Sequence, residues 1–186
     1  MYYIIYPLFY LLSLLPWWIM YLISDGAYLV LYYVSGYRKE VVMKNLSIAF
    51  PEKTKKQRIV IVKEFYHNLA DTFIETIKLL SVSDKEFAKR YTSNNEIVNA
   101  LYDTGVNVQL HACHFFNWEF VNLGESRFVK FPFAFVHLPI SNMAFDKMIL
   151  KLLSPYCTLL IPAVNFKTMF HQYVKVRYSF APSAAL

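Results

Sequence analysis

The chain reads as an α/β domain with a largely parallel sheet and covering helices, preceded by an N-terminal membrane helix or helical hairpin. Three observations predict this. Residues 1–37 carry one charged side chain, Asp25, although the 186 residues include 19 Lys and Arg and 13 Asp and Glu. Beyond residue 37, stretches of helical periodicity take turns with short alternating or apolar runs, the pattern of strands linked by helices. The 56% hydrophobic content is enough for one domain with a real core and too high for disorder.

Met1 to Ser24 is uncharged and interrupted by Pro7 and Pro16. About 20 apolar residues in helix cross a bilayer, so this stretch is long enough to span once. Pro16 allows a rival geometry, a re-entrant pair of short helices with Ala27 to Tyr33 as the return. Trp17, Trp18 and the tyrosines suit a membrane–water interface. No basic residue precedes the apolar run, which argues against a cleaved signal peptide. Arg38, Lys39 and Lys44 follow it and predict a cytoplasmic side there. The chain therefore divides into a membrane-anchoring segment, 1–37, and a domain, 38–186.

Residues 38–50 predict a short helix stopped by Pro51. Thr54-Lys55-Lys56-Gln57 is a capping box that opens a helix to about Leu80, with Ile59, Val62, Tyr66, Leu69, Phe73 and Ile77 as its buried face. Lys53, Lys55, Lys56 and Arg58 crowd the end where the helix dipole disfavours them, so they serve either an external anionic partner or a solvated face. His67 has no recognisable partner and reads as structural. Ser83-Asp84-Lys85-Glu86 caps a second, short helix. Glu96 to Tyr102 reads as helix, broken by Gly105 before a strand at 106–112. Asn117 should cap the next helix. Phe131 to Val136 and Cys157 to Ile161 read as strands. Ser141 to Leu153 lies between them as a helix with Met143, Met148, Ile149 and Leu152 on one side.

The net charge is +6, and the basic surplus behind it lies entirely beyond residue 37. Next to an uncharged leader it points to anionic lipid rather than nucleic acid. Two cysteines, Cys113 and Cys157, supply neither a disulfide framework nor metal spacing, and Cys113 reads as a strand-end core residue. Four glycines leave little for a phosphate loop.

The run His114-Phe115-Phe116-Asn117-Trp118-Glu119 carries the chemistry. Imidazole titrates near neutrality and can take a proton from a hydroxyl. A carboxylate on its other nitrogen fixes the tautomer and stabilises the imidazolium. The spacing by itself is common, and a lone histidine at a strand end is more often structural. A metal reading of His111 and His114 fails on strand alternation, which sends the two to opposite faces.

The flanks narrow the choice. His-x-x-Asn-Trp-Glu resembles the signature of the bacterial lipid A biosynthesis acyltransferases, the lauroyl and myristoyl transferases of the lysophospholipid acyltransferase superfamily. Tyr37-Arg38-Lys39, Asn45-Leu46 and Ala49-Phe50-Pro51-Glu52 are similar to an upstream block of that family. Leu138-Pro139, Asn142, Phe145-Asp146 and Leu160-Ile161-Pro162 are similar to later ones. The resemblance implies transfer of a fatty acyl chain from an acyl carrier protein thioester to a hydroxyl of a lipid A precursor at the bacterial inner membrane. The catalytic domain would face the cytoplasm. His114 would be the base and Glu119 its orienter. Asn117 would either cap its helix or position substrate, and Trp118 would pack. Neither metal nor other cofactor is implied. Basic residues that the family carries after its second block have no counterpart in Leu152 to Tyr156, leaving Lys147 and Lys151. The family's later blocks are missing before Leu186, so the resemblance also implies a domain incomplete at its C-terminus. A different lipid acceptor and a non-catalytic membrane-associated remnant are the competing expectations.

Overall fold

The computed structural model describes residues 2–106, 108–109, 117–154, 159–168 and 179–182. Its helices are α1 (Tyr2–Ser13), α2 (Trp17–Leu29, continued by a π-helical stretch Val30–Ser35), α3 (Lys39–Ala49), α4 (Lys55–Lys78), α5 (Asp84–Ala88), α6 (Asn95–Thr104), α7 (Trp118–Phe128) and α8 (Met143–Leu153). The strands are β1 (Val108–Gln109), β2 (Phe133–His137), β3 (Leu159–Pro162) and β4 (Ser179–Pro182), paired in parallel in the order β1-β4-β2-β3.

Two expectations are corrected here. The chain is not an α/β domain organised around a large parallel sheet: the described residues are mostly helical, and the sheet is a small one of strands no longer than five residues. Alternating and short apolar runs mark half-buried segments but do not set strand length, and here a 24-residue helix, α4, gathers the other elements. Nor does an N-terminal helix cross a bilayer, for no described helix is long and apolar enough. The chain leaves helix after Ser13, where Leu14 and Leu15 close tighter turns onto Leu11 and Leu12, and Pro16 caps α2 from extended backbone. At 1.5 Å per residue, the 12 residues of α1 reach roughly 18 Å, short of a ~30 Å hydrocarbon core.

Capping explains why α4 starts where it does. The Thr54 side chain accepts from the Gln57 backbone N–H, and the Gln57 side chain accepts from the Thr54 N–H at 2.8 Å. Its buried side runs through Val62, Tyr66, Ala70, Ile74 and Ile77. Phe73, expected on that face, is 50% exposed. The i+4 steps from Tyr66 through Ala70 to Ile74 keep the seam, and Phe73 falls beside it.

A polar ladder joins α4 to the N-terminal helices. His67 Nε2 lies 2.9 Å from Asp25 Oδ1 and its Nδ1 lies 3.1 Å from Asp71 Oδ2. Ser24 donates to Asp71 at 2.6 Å, and Tyr21 donates to Glu75 at 2.8 Å. Lys78 Nζ, buried, donates to the Ser13 and Leu15 carbonyls at 2.7 Å each, and Ser81 adds a bond to Ser13 O at 2.7 Å. These bonds satisfy carbonyls left open at the end of α1. Burial pushes the Lys78 ammonium below the usual lysine range. His67, expected to lack a partner, thus holds the lone charge of residues 1–37; pairing across 42 residues is invisible to local pattern.

Apolar contacts flank the ladder. Met20 packs with Ile74 and Ile77, and Tyr32 with Val62 and Tyr66. A further core lies beyond the end of α4, where Leu79 and Val82 meet Phe87, Leu123, Met148 and Leu153. Each fully buried side chain of that size stabilises by about 1.5–3 kcal/mol. Phe87 stacks on Phe120 with centroids 4.5 Å apart. Trp118 packs against this core, as expected, whereas Met143 is 73% exposed instead of facing it.

Candidate functional site

Gly105 ends α6 in the left-handed region at φ 83°, which glycine enters without strain, and β1 follows. His114, His111 and Cys113 lie outside the described residues. The description resumes at Asn117, the residue that starts α7.

Asn117 also adopts left-handed backbone, φ 59° and ψ 54°, a conformation that asparagine tolerates better than most residues. Its side-chain oxygen accepts from the Phe120 backbone N–H at 3.1 Å, a capping bond. Its side-chain nitrogen donates to Glu75 Oε2. The other Glu75 oxygen accepts from Tyr21, so α2, α4 and the start of α7 meet on one carboxylate. Burial, and then the bond to Glu75, pushes the Tyr21 hydroxyl up to about 12. Of the two roles expected for Asn117, the capping bond is present, joined by a tie to α4.

Glu119 stands half-buried in the first turn of α7, where the helix dipole favours its charge.

Asn117 and Glu75 face an open cleft of about 620 Å³, whose other walls include Lys89, Arg90, Thr92 and Phe120. The Arg90 guanidinium lies 4.0 Å over the Trp17 ring and 3.5 Å from the Tyr21 hydroxyl. Lys89 pairs with Glu86 at 2.7 Å. Tyr91 donates to Glu125, and burial raises its hydroxyl pKa further than that of Tyr21. Among the described residues no cluster of three metal-ligating side chains forms. Asp25 and Asp71 engage opposite nitrogens of His67 rather than converging on one point.

Sequence reasoning missed Glu75, Tyr21 and Arg90. A signal existed for the first: Glu75 sits between Ile74, Thr76, Ile77 and Lys78, all buried, where a carboxylate requires an internal partner.

The profile of the bacterial lipid A biosynthesis acyltransferases matches residues 1–175. The chain belongs to that family. No curated relative matches it at significant similarity. Membership makes the protein an acyltransferase of lipid A biosynthesis and suggests association with a membrane. The matched span takes in the N-terminal helices, the capped start of α7 and the His114–Glu119 run.

Proposed function

We propose that this acyltransferase moves a fatty acyl chain from an acyl carrier protein thioester to a hydroxyl of a lipid A precursor. The observation that carries the reading is the family match over a span that includes His114-Phe-Phe-Asn-Trp-Glu119. His114 takes the acceptor hydroxyl proton as the oxygen attacks the thioester carbonyl carbon. Glu119 stabilises the imidazolium. The tetrahedral intermediate collapses, the C–S bond breaks, and the departing thiolate takes the proton back. No acyl-enzyme forms, and the step calls for neither metal nor redox cofactor. Asn117 supports this arrangement by anchoring the first turn of α7, which carries Glu119.

The reaction is placed at the bacterial inner membrane, with the site towards the cytoplasm. α1 and α2 expose Tyr3, Leu8, Leu11, Trp18 and Leu22 without a charge among them, suited to lying in one leaflet rather than crossing it. Residues 38–58 follow with seven basic side chains against two acidic ones, complementary to anionic headgroups. The test is a lipid-product assay with a defined acyl carrier protein donor and a lipid A precursor acceptor. A product heavier by one acyl group, labile to mild base as an ester, is expected. Acylation of an amine, or no dependence on the carrier protein, would overturn the reading.

A further inference from the structure

We propose that the cleft between α5 and the start of α7 is a phosphate subsite, with Arg90 as its fork and Lys89 as its second cation. The proposal rests on the acyl-transfer reading only for the identity of the molecule that carries the phosphate.

Arg90 is built for such a ligand. Its guanidinium carbon lies 4.0 Å from the centroid of the Trp17 ring, a cation–π contact that holds the charge at the cleft, and a guanidinium carries more N–H donors than its one bond to the Tyr21 hydroxyl uses. Among the described residues no carboxylate comes within ion-pair distance of it. The one carboxylate on the described cleft wall, Glu75, has both oxygens engaged, by Tyr21 and by Asn117. Lys89 is tied to Glu86, but that pair is exposed and screened by solvent, so a phosphate competes for the ammonium. Thr92 lines the same wall. A volume of about 620 Å³ exceeds a phosphate alone and suits a phosphate ester with its organic part attached.

The cleft reaches Asn117, which follows the proposed base by three residues in the sequence. Two substrates carry a phosphate group: the acceptor through a sugar phosphate, and the donor through the phosphodiester of its pantetheine arm. Both present anionic phosphate oxygens to Arg90.

Trp17 beneath Arg90 supplies a readout independent of catalysis. Tryptophan fluorescence of the full chain is titrated with a hexosamine phosphate and with 4′-phosphopantetheine, alongside hexosamine and pantetheine as controls. Saturable change with a phosphorylated probe and none with its control is expected. Arg90→Ala should weaken it about 10- to 100-fold, as loss of a charge-assisted bond implies, and Arg90→Lys should restore part of it. In kinetics, Arg90→Ala should raise KM for one substrate by a similar factor with kcat little changed. A rise confined to the phosphorylated acceptor, absent with its dephosphorylated form, assigns the acceptor. A rise in KM for the carrier protein, kept with either acceptor, assigns the donor. Unchanged fluorescence in folded wild-type protein, or equal binding by wild type and Arg90→Ala, overturns the subsite. Absence of acyl transfer by wild type would instead strike the functional reading and leave the titration to decide this one.

Discussion

Two stretches of α4 make opposite use of polar side chains. His67 and Asp71 are answered on α2 by Asp25 and Ser24, and the seam closes on itself. At Glu75, one helical turn further, the carboxylate divides: one oxygen belongs to the seam through Tyr21, and the other reaches Asn117 at the head of the helix that carries Glu119. The difference shows where scaffold gives way to site. A closed ladder fixes how α2 lies on α4, whereas a shared carboxylate transmits that placement to the head of α7.

The deepest way to break the comparison is at the chemistry itself. Replacing the proposed base, His114→Ala, should lower acyl transfer by ~10²–10⁴-fold. Glu119→Gln should fall in the same direction. The double variant should be little worse than His114→Ala, as groups acting together are non-additive. Wild-type rates in folded His114→Ala protein would remove the mechanism. Lys78→Met strikes the scaffold end. It strands the Leu15 carbonyl, while the Ser13 carbonyl keeps its bond from Ser81, and should cost about 1–3 kcal/mol in urea unfolding. Its activity should fall only as far as stability does.

Glu75→Gln sharpens the comparison, since the amide keeps the shape and loses the charge. Loss of charge assistance should cost about 1 kcal/mol of stability, and kcat should fall while KM for either substrate stays near wild type. An unchanged kcat would confine Glu75 to the scaffold. The smallest effect concerns pH. Tyr21 is raised from 10.0 to about 12 in the folded chain, so the folded state holds this proton more tightly. Its contribution is complete below pH 10 and is lost as pH rises towards 12. Tyr21→Phe should be somewhat less stable at pH 8 and flatten this part of the alkaline decline, read by urea unfolding across that range.

Legibility followed the range of the interaction. Thr54, Ser83, Gly105 and Asn117 act within four residues of themselves, and each marks the helix boundary its chemistry predicts. The fold class did not follow, because alternation near β1 and β2 says nothing of how many residues pair, and the long helix dominates. The ladder was hidden for a related reason. Tyr21 and Glu75 are 54 residues apart, and only their burial together shows that they are partners. Of the candidate site, Asn117 and Glu119 were readable as cap and first-turn acid. The cations of the cleft were not, since Arg90 gains meaning only from Trp17, which precedes it by more than 70 residues.

Asn117 imposes a filter on substitution that no single property describes. The left-handed backbone admits glycine, asparagine and aspartate at low cost. Glycine, with no side chain, loses both the capping bond to Phe120 and the tie to Glu75. The tie to Glu75 excludes aspartate, which would set carboxylate against carboxylate. Conformation, hydrogen-bond acceptance and donation intersect at one amide, so a saturation library at this codon, selected for function, should return a single letter.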